Sequence, residues 1–128
     1  MKIRNDQFKI DDKSVLNYYE ITTDKPKLLL LHAQGTNSLS FMSVINKLSK
    51  YFHIYLVDYY GHGKSSFNRE KYNLIDIGND IIKFIEEVIK DNVSVLGHSS
   101  GGLIASYIAS NCELCSGLIL EDPPFFAS

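Results

Sequence analysis

Two adjacent serines, Ser99 and Ser100, lie in the glycine-rich stretch GHSSGG, directly after the apolar run VSVL. A serine hydroxyl becomes an effective nucleophile when a base accepts its proton and the backbone holds it in a forced geometry. A very tight strand-to-helix turn provides that geometry, and it crowds the residues two before and two after the serine. Ser99 has Gly97 and Gly101 at these positions, whereas Ser100 has the bulky His98 on one side. The spacing therefore predicts Ser99 as the nucleophile of a G-x-S-x-G elbow.

The elements around this motif alternate between apolar strands and amphipathic helices. An alternating pattern over about 7–22, with a turn signal at Asp11-Asp12-Lys13, predicts an antiparallel hairpin. Four continuous apolar runs follow, of the kind that forms strands buried on both faces: KLLLLH, HIYLVDY, VSVLG and GLILE. Apolar residues at helical spacing separate or follow them, over about 41–52, 74–88 and 103–110. This alternation predicts an α/β fold with a mostly parallel sheet and flanking helices.

The unusual loops of the sequence all follow a predicted strand directly. HAQGTN, DYYGHGKSS, GHSSGG and EDPP each come after one of the four apolar runs. Because ligands of open α/β sheets bind outside the carboxyl ends of the strands, these loops should meet at one edge of the sheet. That edge is the predicted location of the site.

Composition and charge limit the classes of protein and partner. A chain of 128 residues fits one domain, since a single core typically organises about 100–200 residues. A net charge of −2 gives no reason to expect binding to nucleic acid or to an anionic membrane. No apolar run approaches the roughly 18 residues that a membrane-spanning helix needs. The N-terminal MKIRNDQFKIDDK is too polar for a signal peptide, so we expect a cytoplasmic protein.

The two cysteines, Cys112 and Cys115, form the pattern C-x-x-C. Redox-active pairs usually place the first cysteine at a helix N-terminus, but this pair follows a helical pattern. No second pair of ligands follows it, as a zinc site of this type would require. We therefore expect two reduced thiols, and the sequence predicts neither a metal nor a cofactor.

Three motifs, LLLLHAQGTN, VDYYGHGKSS and VLGHSSGG, give the chain a family resemblance. In this order and at these separations, they resemble the N-terminal half of an α/β-hydrolase of the branch with a serine nucleophile. The resemblance runs from the N-terminal hairpin to EDPP and stops before the lid and the last strands of that fold. Residues 1–128 are thus expected to be a partial domain, with the hairpin at about 7–22 and βα units over about 27–122.

The resemblance also implies where the oxyanion hole lies. In the family, one backbone N–H comes from the loop after the third strand and one from the residue after the nucleophile. These positions are Gln34 and Ser100 in this chain. The family usually has glycine where this chain has Ala33, and the difference puts the shape of the loop in question.

The rest of the catalytic triad has no clear match in the sequence. The family's catalytic histidine follows the last strand, and none of His32, His53, His62 and His98 occupies that position. The family's acid follows the seventh strand, or the sixth strand in some branches. Glu121 and Asp122 are the candidates for that second position, although E-D-P-P is also a common strand-to-lid junction with a structural role.

The predicted function is hydrolysis of an acyl bond in a small-molecule ester, thioester or lactone. Peptidase, acyltransferase, perhydrolase and carbon–carbon hydrolase activities stay open as further branches of the family. A second class of function is a non-catalytic binding module, and a third is a subunit of a split enzyme that needs a complementing C-terminal half. Because no histidine matches the family's base, the chain alone is expected to be inactive. Because the apolar strand GLILE would end the sheet, the chain is also expected to self-associate.

Overall fold

A six-stranded sheet forms the centre of the protein. The computed structural model describes residues 2–33, 36–59, 65 and 73–121. The strands are β1 (Arg4–Asp11), β2 (Ser14–Ile21), β3 (Lys27–Leu31), β4 (His53–Val57), β5 (Val93–His98) and β6 (Cys115–Glu121). Their order across the sheet is β1-β2-β4-β3-β5-β6. The helices are α1 (Met42–Leu48), α2 (Leu74–Phe84), which continues as a short π-helix over Ile85–Ile89, and α3 (Gly101–Asn111).

The sheet is mixed but mostly parallel. β1 and β2 form an antiparallel hairpin, and β2 runs antiparallel to β4. β4, β3, β5 and β6 are parallel to one another. The α/β architecture predicted from the sequence is therefore confirmed. The hairpin begins at Arg4, earlier than the alternating pattern indicates, and β6 begins at Cys115, two residues before GLILE.

The continuous apolar runs become strands because both faces of the sheet are covered there. In β3, Leu29 and Leu31 pack into the cluster on the side of α2 and α3, while Leu28 and Leu30 pack into the cluster on the side of α1. Successive side chains of a strand point to opposite faces, so a strand between two helical layers needs apolar residues at every position.

The helices begin and end at local signals. Asn73 caps α2 by accepting a hydrogen bond from the N–H of Asp76, whose side chain accepts one from the N–H of Asn73. α1 is shorter than its apolar spacing predicts, because the segment starts as a 3-10 turn over Ser38–Phe41 and the helix ends at Leu48. The chain then turns into β4.

In the part of the chain that the structure describes, helices cover the two faces of the sheet unequally. α2 and α3 lie against one face, and the shorter α1 lies against the other. Among these residues, no helix has the length and apolar character needed to cross a bilayer.

Candidate active site

Ser99 lies on the sharp turn between β5 and α3, at the carboxyl edge of the parallel strands. Its φ is 53°, in the left-handed region that residues with a Cβ rarely adopt. Its N–H donates a 2.7 Å hydrogen bond to the carbonyl of Glu121, and its carbonyl accepts a 2.8 Å hydrogen bond from the N–H of Gly102. These two bonds tie the turn to the end of β6 and to the first turn of α3.

The glycines on either side of Ser99 lie against the backbone. A Cβ added to Gly97 would lie 2.3 Å from the carbonyl oxygen of Gly101. A Cβ on Gly101 would lie 2.6 Å from the carbonyl oxygen of Leu31 and 2.7 Å from that of His32. These distances are shorter than real contacts of a Cβ atom, so the turn has room only for glycine at these positions.

The strain at Ser99 leads to a prediction about stability. We expect Ser99→Gly to unfold with a free energy up to about 1 kcal/mol higher than Ser99→Ala. A left-handed conformation costs an L-residue about 1–2 kcal/mol, and the greater freedom of unfolded glycine offsets about 0.4–1 kcal/mol of that gain. Urea unfolding of both variants measures the difference.

Ser106 provides the matched control for this comparison, because it lies within α3, where φ is helical. Ser106→Gly should have a free energy of unfolding about 1 kcal/mol lower than that of Ser106→Ala. The same sign of the Gly–Ala difference at both positions would contradict the strained conformation of Ser99.

Ser100 lies at the start of α3. Its backbone angles, φ −61° and ψ −24°, are helical, and α3 continues from Gly101 to Asn111. The N–H groups at the start of a helix carry a partial positive charge, which favours negative charge nearby. The turn thus places the Ser99 side chain beside a backbone environment suited to an oxyanion.

His32 and Tyr59 form a buried pair at the ends of the neighbouring strands β3 and β4. The Nε2 atom of His32 accepts a 3.2 Å hydrogen bond from the N–H of Tyr59, and Nδ1 lies 2.8 Å from the carbonyl of Ala33. The Tyr59 hydroxyl donates to the carbonyl of His32, and a Cβ on Gly101 would meet the same hydroxyl at 2.8 Å. Burial raises the pKa of Tyr59. The Tyr59 hydroxyl of this pair therefore packs against Gly101, one of the two glycines of the turn.

Asp58 lies directly after β4 and connects separate segments of the chain. Its carboxylate accepts a 2.8 Å hydrogen bond from the N–H of Ser38 and a 3.0 Å hydrogen bond from the side-chain amide of Asn17. The hydroxyl of Ser65 donates to the carbonyl of Asp58 and accepts a hydrogen bond from the N–H of Asn17. These contacts give the buried Asp58 a structural role in holding the loops at the carboxyl edge.

His53 begins β4 and so lies at the opposite edge of the sheet from Ser99. Its Nε2 atom is 2.6 Å from a carboxylate oxygen of Glu20, and its Nδ1 atom is 3.2 Å from the carbonyl of Thr23. Burial raises the pKa of Glu20, but hydrogen bonds from Arg4 and His53 outweigh that effect and hold the pKa below its usual value. His53 thus belongs to a polar cluster that is remote from the candidate nucleophile.

His98 and Glu121 lie side by side at the ends of β5 and β6. Nδ1 of His98 is 2.6 Å from a carboxylate oxygen of Glu121, an ion-pair distance whose angles fall outside hydrogen-bond geometry. Both side chains face α1, where they line a cleft of about 500 Å³ with Leu30 and Leu96 among its apolar residues. Glu121 is therefore next to the elbow through its backbone, while its carboxylate faces His98.

Several predicted residues lie outside the part of the chain that the structure describes. These are Gln34, His62 and Asp122, together with most of the loop DYYGHGKSS and the segment EDPP beyond Glu121. Ser99, Ser100, Gly97 and Gly101 come together at one turn. No pattern in the sequence indicates the partnership of Asn17 with Asp58, or of Tyr59 with His32, because each depends on which strands are neighbours.

The two cysteines lie at the far end of α3 and the start of β6. Cys112 is buried, and both thiols are free. Burial raises the pKa of Cys115, which opposes formation of the reactive thiolate. Among residues 2–33, 36–59, 65 and 73–121, no three metal-ligating side chains cluster.

Comparison with known sequences identifies a matching family model and relatives whose names describe different proteins. The sequence model of the alpha/beta hydrolase fold matches residues 26–128. A pimeloyl-acyl-carrier-protein methyl ester esterase of Yersinia pseudotuberculosis is 36% identical over 103 residues, which cover 79% of this chain and 38% of that protein. A magnesium-chelatase 30 kDa subunit of Rhodobacter capsulatus is 37% identical over 87 residues, which cover 67% of this chain and 31% of that protein. The chain thus spans about a third of the length of these curated relatives.

Comparison with solved structures supports the fold. The crystal structure of a hydrolase from Pseudomonas aeruginosa superposes with a TM-score of 0.86 at 24% sequence identity. The match covers 93% of this chain and 46% of that structure. The described sheet and helices therefore correspond to about half of a larger fold.

Proposed function

The chain belongs to the alpha/beta hydrolase fold family, and on that premise we propose that it carries the nucleophile of a serine hydrolase that cleaves an acyl bond. The observation that supports the proposal most is the φ of 53° at Ser99, held between two glycines that face the backbone. Strained backbone of this kind is maintained only where the surrounding structure enforces it, and it concentrates at active sites. The name of the Yersinia relative, a methyl ester esterase, favours an ester as substrate.

The proposed reaction proceeds in two steps. The Ser99 hydroxyl attacks the acyl carbonyl carbon and gives its proton to a histidine base. The carbonyl oxygen becomes an oxyanion, which the N–H groups of Ser100 and Gln34 stabilise. The leaving alcohol or thiol departs with the proton that the histidine took from Ser99. Water then gives a proton to the same histidine and attacks the acyl-serine, which releases the acid while the histidine returns the proton to the Ser99 oxygen. Donors of this kind contribute about 3–4 kcal/mol each to the transition state.

We propose that the base and the acid come from outside these 128 residues. The ring nitrogens of His32 lie near the carbonyl of Ala33 and the N–H of Tyr59. A ring nitrogen of His53 lies beside the carboxylate of Glu20, and one of His98 lies beside that of Glu121. The two curated relatives are also considerably longer than this chain, which covers 38% and 31% of them. Either a longer polypeptide or a second chain would supply both groups.

Ester turnover tests the proposal. We expect the 128-residue chain to hydrolyse p-nitrophenyl acetate and butyrate no faster than its Ser99→Ala variant. Completed by the C-terminal half of the Yersinia relative, it should gain Ser99-dependent turnover. The gain should be roughly thousands-fold, because a serine hydrolase without its base keeps only a residual rate. Ser99-dependent turnover by the chain alone would instead make one of its four histidines the base.

A further inference from the structure

The backbone carbonyl of Ala33, in the loop after β3, is surrounded by three polar groups. The hydroxyl of Thr36 donates a 2.7 Å hydrogen bond to it, and the N–H of Thr36 donates one of 3.1 Å. Nδ1 of His32 lies 2.8 Å from the same oxygen. A carbonyl oxygen has two lone pairs, so these three groups use its full capacity to accept hydrogen bonds. The direction of this carbonyl is therefore fixed from several sides.

The ring of His32 is itself held in one tautomer. A backbone N–H can only donate, so Nε2, which accepts the 3.2 Å hydrogen bond from the N–H of Tyr59, carries no proton. The proton of the ring therefore lies on Nδ1, where it faces the carbonyl of Ala33. The rings of His32 and Tyr59 have centroids 3.9 Å apart, and both residues are fully buried. The ring is thus a rigid donor to the loop.

A fixed carbonyl also fixes the N–H on the other side of its peptide bond. In a planar trans peptide group, the C=O and the N–H point in opposite directions. The nitrogen of Gln34 is bonded to the carbonyl carbon of Ala33, and its N–H is the donor that the proposed reaction takes from this loop. Groups that hold the Ala33 carbonyl on one side therefore aim this N–H to the other side.

We propose that Thr36 is a positioning residue of the oxyanion hole, which acts together with His32 by holding the carbonyl of Ala33. This role rests on the proposed hydrolysis of an acyl bond. Donors that are already oriented stabilise a developing oxyanion without the cost of turning toward it during the reaction. Thr36 itself touches neither the substrate nor Ser99 in this role. A threonine that only stabilised the loop would affect the free energy of unfolding and leave kcat unchanged.

Turnover of p-nitrophenyl butyrate tests the role of Thr36, in the chain completed by the C-terminal half of the Yersinia relative. Thr36→Val removes the hydroxyl and keeps the branched shape of the side chain. It should lower kcat roughly tenfold, the worth of one such hydrogen bond. KM should stay unchanged, because the oxyanion exists only in the transition state and the intermediate that follows it. Thr36→Ser keeps the hydroxyl and should restore the kcat of the parent.

Thr22→Val is the matched control, because it makes the same change in a side chain remote from the site. The hydroxyl of Thr22 lies 3.5 Å from a carboxylate oxygen of Glu20, at the opposite edge of the sheet from Ser99. Its replacement should leave both kcat and KM unchanged. Urea unfolding should show each variant folded under the conditions of the assay.

A measurement without substrate tests the contact itself. In ¹³C NMR spectra of the 128-residue chain, the carbonyl resonance of Ala33 should move upfield in Thr36→Val and stay in place in Thr36→Ser, since a hydrogen bond deshields a carbonyl carbon. A resonance that does not move when the hydroxyl is removed overturns the proposal.

The activity assays separate this proposal from the proposed function. A completed parent that turns over substrate, while Thr36→Val keeps its kcat or Thr36→Ser fails to restore it, overturns the role of Thr36 alone. A completed parent that folds yet shows no Ser99-dependent turnover overturns the proposed function, and the role of Thr36 with it.

Discussion

In the chain completed by the C-terminal half of the Yersinia relative, Ser99→Ala should abolish covalent labelling by a fluorophosphonate probe and remove ester turnover. The substitution deletes the only atom that forms the acyl bond in the proposed reaction. The methyl carbon of alanine occupies the position of the serine Cβ, so the turn should keep its shape. Loss of a catalytic serine lowers kcat by on the order of 10⁴–10⁶-fold. Labelling detected by fluorescence, and turnover of p-nitrophenyl butyrate, measure the two effects.

Ser100→Ala is the matched control for this experiment. Ser100 is adjacent in sequence, but in the proposal only its backbone N–H takes part in the reaction. Its replacement should therefore leave labelling in place, with turnover within about tenfold of the parent. Peptide mass spectrometry should find the phosphonate on Ser99. A phosphonate adduct on Ser100, or labelling that survives Ser99→Ala, would refute the assignment of Ser99 as the nucleophile.

Gly97→Ala should damage both the stability of the protein and the geometry of the turn. The added Cβ would lie 2.3 Å from the carbonyl oxygen and 2.5 Å from the carbonyl carbon of Gly101, and 2.7 Å from the nitrogen of Gly102. All three are backbone atoms and cannot rotate away. We expect a loss of about 3 kcal/mol in the free energy of unfolding, at the upper end for overpacking. Labelling of Ser99 should slow by roughly a hundredfold, because moving a reacting group by about 1 Å can lower the rate of a reaction by that factor.

Gly117→Ala is the matched control, because its added Cβ also meets a close neighbour. That neighbour is the hydroxyl of Ser94 at 2.7 Å, a side-chain atom that can turn to another rotamer. Its free energy of unfolding should stay within about 1 kcal/mol of the parent, and labelling should be unchanged. Equal losses at Gly97 and Gly117 in urea unfolding would show that backbone crowding does not decide the effect.

Local sequence was enough to predict those features that depend on a few neighbouring residues. The two glycines around Ser99 indicated the tight turn, and the run KLLLL indicated a strand covered on both faces. The apolar spacing from about residue 74 indicated the start of α2, and the side chain of Asn73 caps the helix there. In each case the pattern that carries the information lies within a few residues of sequence, although the strand and the turn also contact distant segments in the fold.

Local sequence was less reliable for the ends of the elements. Apolar spacing predicted one helix over about 41–52, but a 3-10 turn over Ser38–Phe41 precedes α1, which ends at Leu48. The apolar residues of such a segment can face the core from a helix or from the turns on either side of it. The boundary is therefore set by where the chain must turn to enter β4.

Only the tertiary structure decided which distant residues became partners. β3 lies between β4 and β5, and β2 lies beside β4, so Asn17 of the hairpin reaches Asp58 and Tyr59 reaches His32. The same order leaves β6 as an outer strand of the described sheet, although its apolar sequence is typical of a central one. Strand order arises from the packing of the whole sheet against its helices, a sum over contacts between segments far apart in the chain. No short stretch of sequence contains that sum, whereas the glycine spacing that permits the strained turn at Ser99 is local to the sequence.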